Sequence, residues 1–234
     1  TTFKLEEYVD SGLVPLFITA SNIDIECGSR QKSCRFSGGT RHVEFRGSVT
    51  NVHLRGLVFT NATESSIFAS LTSPMEITFD DCEWIHNTGN ATITAIDPSY
   101  LGLSPSTQTT DDILTGGDDS LIGGRVLNYD AFSDLICNLC VFEANAASGA
   151  IIAINGANLT LNAVHFSNNN VQGYLIVADN GMVTMTDSCL SGNAPGQGTF
   201  NGAISGAGNF GRSLLVKVRH LSSTLKCKTP TGQA

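Results

Sequence analysis

Leu159-Thr-Leu161-Asn-Ala-Val164-His-Phe166-Ser-Asn-Asn169 and Val183-Thr-Met185-Thr-Asp-Ser188-Cys-Leu190-Ser-Gly-Asn193 are two copies of one pattern, offset by 24 residues. Leu135-Ile-Cys137-Asn-Leu-Cys140-Val-Phe142-Glu-Ala-Asn145 is a third copy, 24 residues earlier. Ile77-Thr-Phe79-Asp-Asp-Cys82-Glu-Trp84-Ile-His-Asn87 starts 58 residues before Leu135. Val52-His-Leu54-Arg-Gly-Leu57-Val-Phe59-Thr-Asn-Ala62 starts 25 residues before Ile77, and a fainter copy begins at Ile23-Asp-Ile25. Each copy reads apolar-x-apolar, two turn residues, apolar-x-apolar, then a short polar turn. A period of two, broken and restarted, describes two short strands and a corner. A third strand follows each turn, at Thr92 to Ile96, Ala150 to Ile154, Tyr174 to Ala178 and Gly202 to Ser205. Strands this short pair with their equivalents in the next unit, about 4.8 Å away. The expectation is an all-β chain, a right-handed parallel β-helix of about seven coils.

Asn recurs at the end of the second turn, as Asn87, Asn145, Asn169 and Asn193. Asn tolerates a left-handed backbone at such a corner. Stacked amides can also hydrogen-bond along the coil axis, so these four are expected to form a ladder. The offset of 58 is 24 plus 34, so about 34 residues are inserted between Ile96 and Phe132. Turn-forming residues fill that insertion, and long loops in compact domains are often functional. Residues 1–234 read as one domain, with an N-terminal cap over 1–15, a loop insertion over 97–132 and a C-terminal tail over 221–234. The segment Leu214 to His220 is expected to supply a last strand.

The chain resembles the right-handed β-helix, or pectin-lyase-like, superfamily. Phe142-Glu-Ala-Asn145 with Gly149-Ala-Ile151, and Phe166-Ser-Asn-Asn169, resemble the Phe-x-x-Asn and Gly-x-Ala-Ile units of surface β-helix repeat proteins. Cys34-x-x-Ser37-Gly-Gly39 and Gly56-Leu-Val-Phe59 are similar to phrases of secreted algal β-helix proteins. The resemblance spans about residues 16–220. It implies the fold and says little of chemistry, because enzymes, adhesins and structural spikes share it.

Charged residues make up 15% of the chain and the formal net charge is −8. That balance argues against a nucleic-acid partner, which needs clustered Lys and Arg. No apolar stretch approaches the roughly 18 residues of a membrane span. No signal peptide is read at Thr1-Thr2-Phe3-Lys4, so compartment rests on other features. Polar positions go instead to 46 Ser plus Thr, 18 Asn and 24 Gly.

The outward positions of the first strand form a polar, flat face. On it stand Asp24, Glu26, His53, Arg55, Thr78, Asp80, Ile136, Asn138, Thr160, Asn162, Thr184 and Thr186. In β-helix enzymes the equivalent face floors a sugar-binding cleft. Thr78, Asn138, Thr160, Asn162, Thr184 and Thr186 are the candidate ligand face. His53, Arg55, Asp80 and Asp81 are the candidate catalytic cluster, since paired carboxylates can act as acid and base or hold calcium. Against catalysis, the sequence lacks the Asn-x-Asp, Gly-His-Gly and Arg-x-Lys set of polygalacturonase-like hydrolases and the Asp-Pro-His-Asp of alginate epimerases. Asp111, Asp112, Asp118 and Asp119 are compatible with calcium binding, against the plainer reading of a solvated acidic loop. No other cofactor is implied.

Seven cysteines occur. Cys137-Asn-Leu-Cys140 has redox spacing, yet in frame both residues point inward. Cys34, Leu57, Cys82, Cys140, Val164 and Ser188 make one inward column. Two readings remain for Cys82 and Cys140, core packing or a bridge between coils. Cys27 with Cys34, and Cys189 with Cys227, are candidate bridges at the two ends, which suits an extracellular, cell-surface or otherwise oxidising setting. Sequons occur at Asn61, Asn90 and Asn158, a number that a chain this rich in Asn, Ser and Thr yields by chance.

The third strand reads apolar on both faces: Ile93, Ala95, Ile151, Ala153, Leu175 and Val177 on one, Thr94, Ile96, Ile152, Ile154, Ile176 and Ala178 on the other. The outer face therefore needs cover from the insertion, a terminal segment or a protein partner. The leading expectation is a non-catalytic secreted or surface protein presenting a rigid polar face to a polysaccharide, glycoprotein or other protein. The alternatives are a polysaccharide-active lyase, hydrolase or epimerase, and a structural subunit of a larger assembly.

Overall fold

Strand triplets follow one another along the chain in the computed structural model, which describes residues 1–5, 8–10, 14–28, 34–70, 74–96, 133–171, 174–179, 182–193, 204–205 and 216–219. The first coil is β1 (Thr2–Leu5), β2 (Tyr8–Asp10) and β3 (Leu16–Ile18). The second is β4 (Ile23–Cys27), β5 (Cys34–Ser37) and β6 (Val43–Phe45), and the third β7 (Val52–Arg55), β8 (Leu57–Thr60) and β9 (Ile67–Ser70). The fourth is β10 (Glu76–Asp80), β11 (Glu83–Ile85) and β12 (Thr88–Ile96), and the fifth β13 (Ser133–Asn138), β14 (Val141–Glu143) and β15 (Ala146–Asn155). The sixth holds β16 (Ala157–Asn162), β17 (His165–Ser167), the two-residue β18 (Asn170–Val171) and β19 (Tyr174–Asp179). Then come β20 (Val183–Thr186), β21 (Cys189–Ser191), β22 (Ile204–Ser205) and β23 (Val216–Arg219).

First, second and third strands of successive coils stack into three sheets of eight, seven and eight strands. Every recorded pairing is parallel, and no helix occurs among the described residues. The fold is thus the expected all-β parallel β-helix. Its second to sixth coils, β4 to β19, are described almost throughout, about five turns against the expected seven. The frame inferred from the repeat is the register observed: Ile77 pairs with Leu135, Leu135 with Leu159, and Leu159 with Val183. Because Ile77 and Leu135 are neighbours 58 positions apart, the extra chain leaves after β12 and returns before β13. The insertion itself, 97–132, lies outside the described residues, as does the tail 221–234. At the N-terminal end β1 pairs with β4 and β2 with β5. β23 extends the first sheet beyond β20, where a last strand is expected.

Left-handed residues mark the corners, among them Asn22, Asn51 and Gly156 between third and first strands. Between first and second strands they are Asp81, Leu139, Ala163 and Asp187, with φ of 52–55°, and Gly56 in the third coil at 68°. Between second and third strands they are Asn61, His86, Ala144 and Asn168, with φ of 52–62°, and Gly192 at 63°. This corrects one expectation. The ladder asparagines do not themselves take the left-handed conformation; the residue before each does, and the turn directs the following side chain inward. Asn87, Asn145 and Asn169 are accordingly buried.

Inside the coil, rings stack rung upon rung. Centroids are 5.4 Å apart for Phe36–Phe59, 5.3 Å for Phe59–Trp84, 4.7 Å for Trp84–Phe142 and 4.9 Å for Phe142–Phe166. The spacing follows the strand separation of about 4.8 Å, so the sheet geometry itself imposes offset stacking.

A second correction concerns the third sheet. Ile93 pairs with Ile152, not Ile151, because Gly89 aligns with Ala147 but Ala91 with Ala150. One extra residue in β15 creates a bulge there. The interior column is therefore Ile67, Ile93, Ile152 and Ile176. Ile151 and Leu175, grouped on one face with Ile93 by the repeat, belong to the interior core as well, although Ile93 is in register with Ile152. Ala91, Ala150 and Ala153, with Val177 against them, form a separate buried cluster. They are withdrawn from solvent within the single chain, which leaves a partner little apolar area to cover at these positions.

Candidate functional site

The first sheet carries the candidate residues, and its register places them in two outward columns. One runs Glu26, Arg55, Asp80, Asn138, Asn162, Thr186; the other runs Asp24, His53, Thr78, Ile136, Thr160, Thr184. In the first column the side chains bond to one another. Asn162 Nδ2 donates to Asn138 Oδ1 at 2.8 Å, and Asn138 Nδ2 donates to Asp80 Oδ1 at 2.7 Å. Arg55 Nη2 stands 3.6 Å from Asp80 Oδ2. The row is directional: each amide donates toward the N-terminal end until the Asp80 carboxylate takes the last hydrogen bond. Arg55 then compensates that anion, which at such exposure is worth about 1 kcal/mol or less.

The candidate catalytic cluster is only partly brought together. Arg55 and Asp80 are paired, and His53 stands one position diagonal on the neighbouring rung, its Nε2 3.1 Å from Asn51 Oδ1. Asp81 is not on the face; it is the left-handed corner residue after β10, with φ of 52°. A nucleophile and base need mutual hydrogen-bond reach around a reacting atom. Here one carboxylate is already occupied by a guanidinium and an amide, and the other is a corner. Of the ligand-face residues, Thr78 is buried at 7% exposure, whereas Asn138, Thr160, Asn162, Thr184 and Thr186 are half-buried. The acidic calcium candidates Asp111, Asp112, Asp118 and Asp119 lie outside the described residues. Among the described residues no group of three or more His, Cys, Asp and Glu is placed to hold a metal ion.

The asparagine ladder forms on the inside. Nδ2 of Asn87, Asn145 and Asn169 donates to Oδ1 of the next asparagine at 3.0, 2.9 and 2.9 Å. Each of these Nδ2 groups also donates to a carbonyl of the preceding coil, of Phe59, Trp84 and Phe142 in turn. Asn193 Nδ2 repeats this with the Phe166 carbonyl. Each Oδ1 also accepts the backbone N–H of the previous coil, ending at Ala62 N to Asn87 Oδ1. Buried amide groups are thus satisfied on both ends. This ladder is structural, and its donors point opposite to those of the outer row.

Cys82 and Cys140 are free buried thiols, so of the two readings packing holds and a bridge between coils does not. In-register rungs hold equivalent Cβ atoms about 4.8 Å apart, whereas a disulfide wants about 3.8 Å. Instead the thiols act as Ser188 does in the same column. Cys82 Sγ is 3.4 Å from the Leu54 carbonyl, Cys140 Sγ 3.4 Å from the Phe79 carbonyl, and Ser188 Oγ 3.4 Å from the Leu161 carbonyl. Burial pushes both thiols well above the usual cysteine range. Cys27–Cys34 is a disulfide with Cα atoms 5.7 Å apart. Cys189 is disulfide-bonded as well, and its expected partner, Cys227, lies outside the described residues.

Two features escaped the repeat. On the outer face of the third sheet, Phe17, Glu44 and Phe68 are in register. Arg46 lies 4.0 Å over the Phe17 ring and Arg41 4.3 Å over Phe68, while Glu44 pairs with both arginines at 2.7 and 3.5 Å. At the first coil a concavity of about 360 Å³ is lined by Phe3, Leu5, Leu16, Phe17, Ile18, Ile23, Ile25 and Phe36, with Thr19 and Ala20. Only the exposed aromatics near β1 and β3 hinted at it. No helix is long and apolar enough to cross a membrane among the described residues. No family model, no curated protein and no solved structure matches the chain.

Proposed function

We propose that this chain is a non-catalytic secreted or cell-surface β-helix, akin to the pectin-lyase-like group, whose first sheet presents a rigid polar face to a polysaccharide or glycoprotein. The observation that carries the reading is the outer row of Arg55, Asp80, Asn138 and Asn162. Its members are held by one another and by a sheet pinned on both sides, so little side-chain entropy is lost on contact. Regularly spaced amides, hydroxyls and one compensated ion pair suit a polyhydroxylated ligand, which exchanges water hydrogen bonds for fixed ones. The occupied Asp80 carboxylate and the corner position of Asp81 favour contact over bond cleavage. The two disulfide-bonded positions suit an oxidising setting.

A glycan array probed with the intact chain, with and without calcium, tests this. Binding weakened about tenfold by Asn138→Ala combined with Asn162→Ala is expected. Cleavage or epimerisation of a polysaccharide by the purified protein sinks the reading in favour of an enzyme. Absence of any glycan or glycoprotein binding sinks the ligand-face assignment.

A further inference from the structure

Three sequons stand at different places in the coil, and the fold separates them. Asn90 lies inside β12, at the bulge where β12 meets β15. Asn158 lies on β16 in the first sheet, where its Nδ2 donates to Asp134 Oδ1 at 3.1 Å. Thr160, two residues on, belongs to the outward polar face, so a glycan on Asn158 would cover that face. Asn61 is different. It follows β8 as the left-handed apex residue of the corner between second and third strands, with φ of 62°. Asn61 and Thr63 are both exposed, while Ala62 between them is fully buried and pins the turn through its N–H to Asn87 Oδ1. The Asn61 amide nitrogen has one long contact, Ser37 Oγ at 3.5 Å. Substituting that nitrogen costs the fold almost nothing, and the apex joins the second and third sheets rather than the first.

We propose that Asn61 is an N-glycosylation site, and that its glycan shields the corner between second and third strands while leaving the polar face of the first sheet open. The inference rests on the oxidising-compartment reading. The step is a transfer from a lipid-pyrophosphate-linked oligosaccharide. The Asn61 side-chain nitrogen bonds to the anomeric carbon and loses one proton; the carbon–oxygen bond to pyrophosphate breaks, and the lipid pyrophosphate leaves with the electron pair. Sequon hydroxyl chemistry assigns Thr63 as the required second residue.

The test is secretion of the full chain from a eukaryotic host behind a cleavable leader, followed by intact mass, peptide mapping and endoglycosidase treatment. The peptide containing Asn61 is expected to carry a glycan that endoglycosidase removes. Thr63→Ala, which removes the sequon hydroxyl together with its hydrogen bond to the Gly39 carbonyl at 3.1 Å, is expected to abolish the mass shift, as is Asn61→Gln, whereas Thr63→Ser retains it. Protein recovered with the Cys27–Cys34 bond formed but Asn61 bare overturns the site. A mass shift that survives both Thr63→Ala and Asn61→Gln, mapping to Asn158, overturns the claim that the polar face of the first sheet is left open. Protein secreted with free thiols at Cys27 and Cys34 overturns the compartment reading, and the proposal with it.

Discussion

Replacing Asn145 with alanine is the sharpest test of how the coils are held together. Asn145 is fully buried and makes four side-chain hydrogen bonds. Its Oδ1 accepts Asn87 N at 2.9 Å and Asn87 Nδ2 at 3.0 Å. Its Nδ2 donates to the Trp84 carbonyl and to Asn169 Oδ1, each at 2.9 Å. Alanine removes all four and leaves the Asn87 N–H and one Asn87 Nδ2 hydrogen without an acceptor where water does not reach, while the Trp84 carbonyl keeps its place in the ladder between β11 and β14. At about 1–2 kcal/mol per buried orphan, the loss is about 2–4 kcal/mol. That is a large share of the roughly 5–15 kcal/mol that stabilises a domain. Asn138→Ala, by contrast, removes two bonds from the half-buried outer row, where water replaces the lost amide. Its cost is expected below about 1 kcal/mol. Urea unfolding followed by far-ultraviolet circular dichroism and by fluorescence of Trp84, the single tryptophan, measures both. A loss below about 1 kcal/mol for Asn145→Ala, or equal losses for the two variants, would refute the view that the interior ladder rather than the outer row locks the register.

Three further outcomes are expected. Gly89→Ala should destabilise by about 1–3 kcal/mol, because an added Cβ overlaps the backbone of Glu64, including its carbonyl oxygen; an unchanged urea midpoint contradicts the tight approach. Cys82 and Cys140 should resist alkylation at neutral pH in the native protein and react once it is unfolded, since burial raises both thiol pKa values; rapid native modification, read by mass, goes against their burial. Burial also lowers the His165 pKa below its usual 6.5, with Glu143 opposing weakly, so the folded state binds fewer protons there than the unfolded state. Its contribution is therefore present above about pH 6.5 and lost as pH falls through the unfolded and then the folded value, and His165→Gln should flatten that acid slope; an unchanged slope rejects it.

Much of this was legible in the residue order. The copies beginning at Ile77, Leu135, Leu159 and Val183 are rung partners, because period-two alternation and a constant repeat length are local properties that survive into the fold. The column of Cys34, Leu57, Cys82, Cys140, Val164 and Ser188 follows the same logic, as do the two outward columns of the first sheet. Other features depend on contacts between rungs. The third-strand register slipped by one at β15, since Ser148-Gly149 in the fifth coil faces the single residue Asn90 in the fourth. Nothing in alternation alone distinguishes a bulge from a longer strand. Arg41 and Arg46, separated by the whole of β6, share Glu44 and ride on Phe68 and Phe17, a cluster that appears only once the coils are stacked.

The sequence by itself determined the architecture and which side chains of the first and second strands face inward, because backbone alternation and corner residues dictate direction locally. Only the tertiary structure decided what those side chains do to one another. Rungs about 4.8 Å apart are close enough for amides to bond and rings to stack, and too far for equivalent cysteines to bridge. The same spacing makes Asp80, a catalytic candidate, a link between Arg55 and Asn138. It also left Asn61 exposed at an apex while Asn158 was tied into the first sheet.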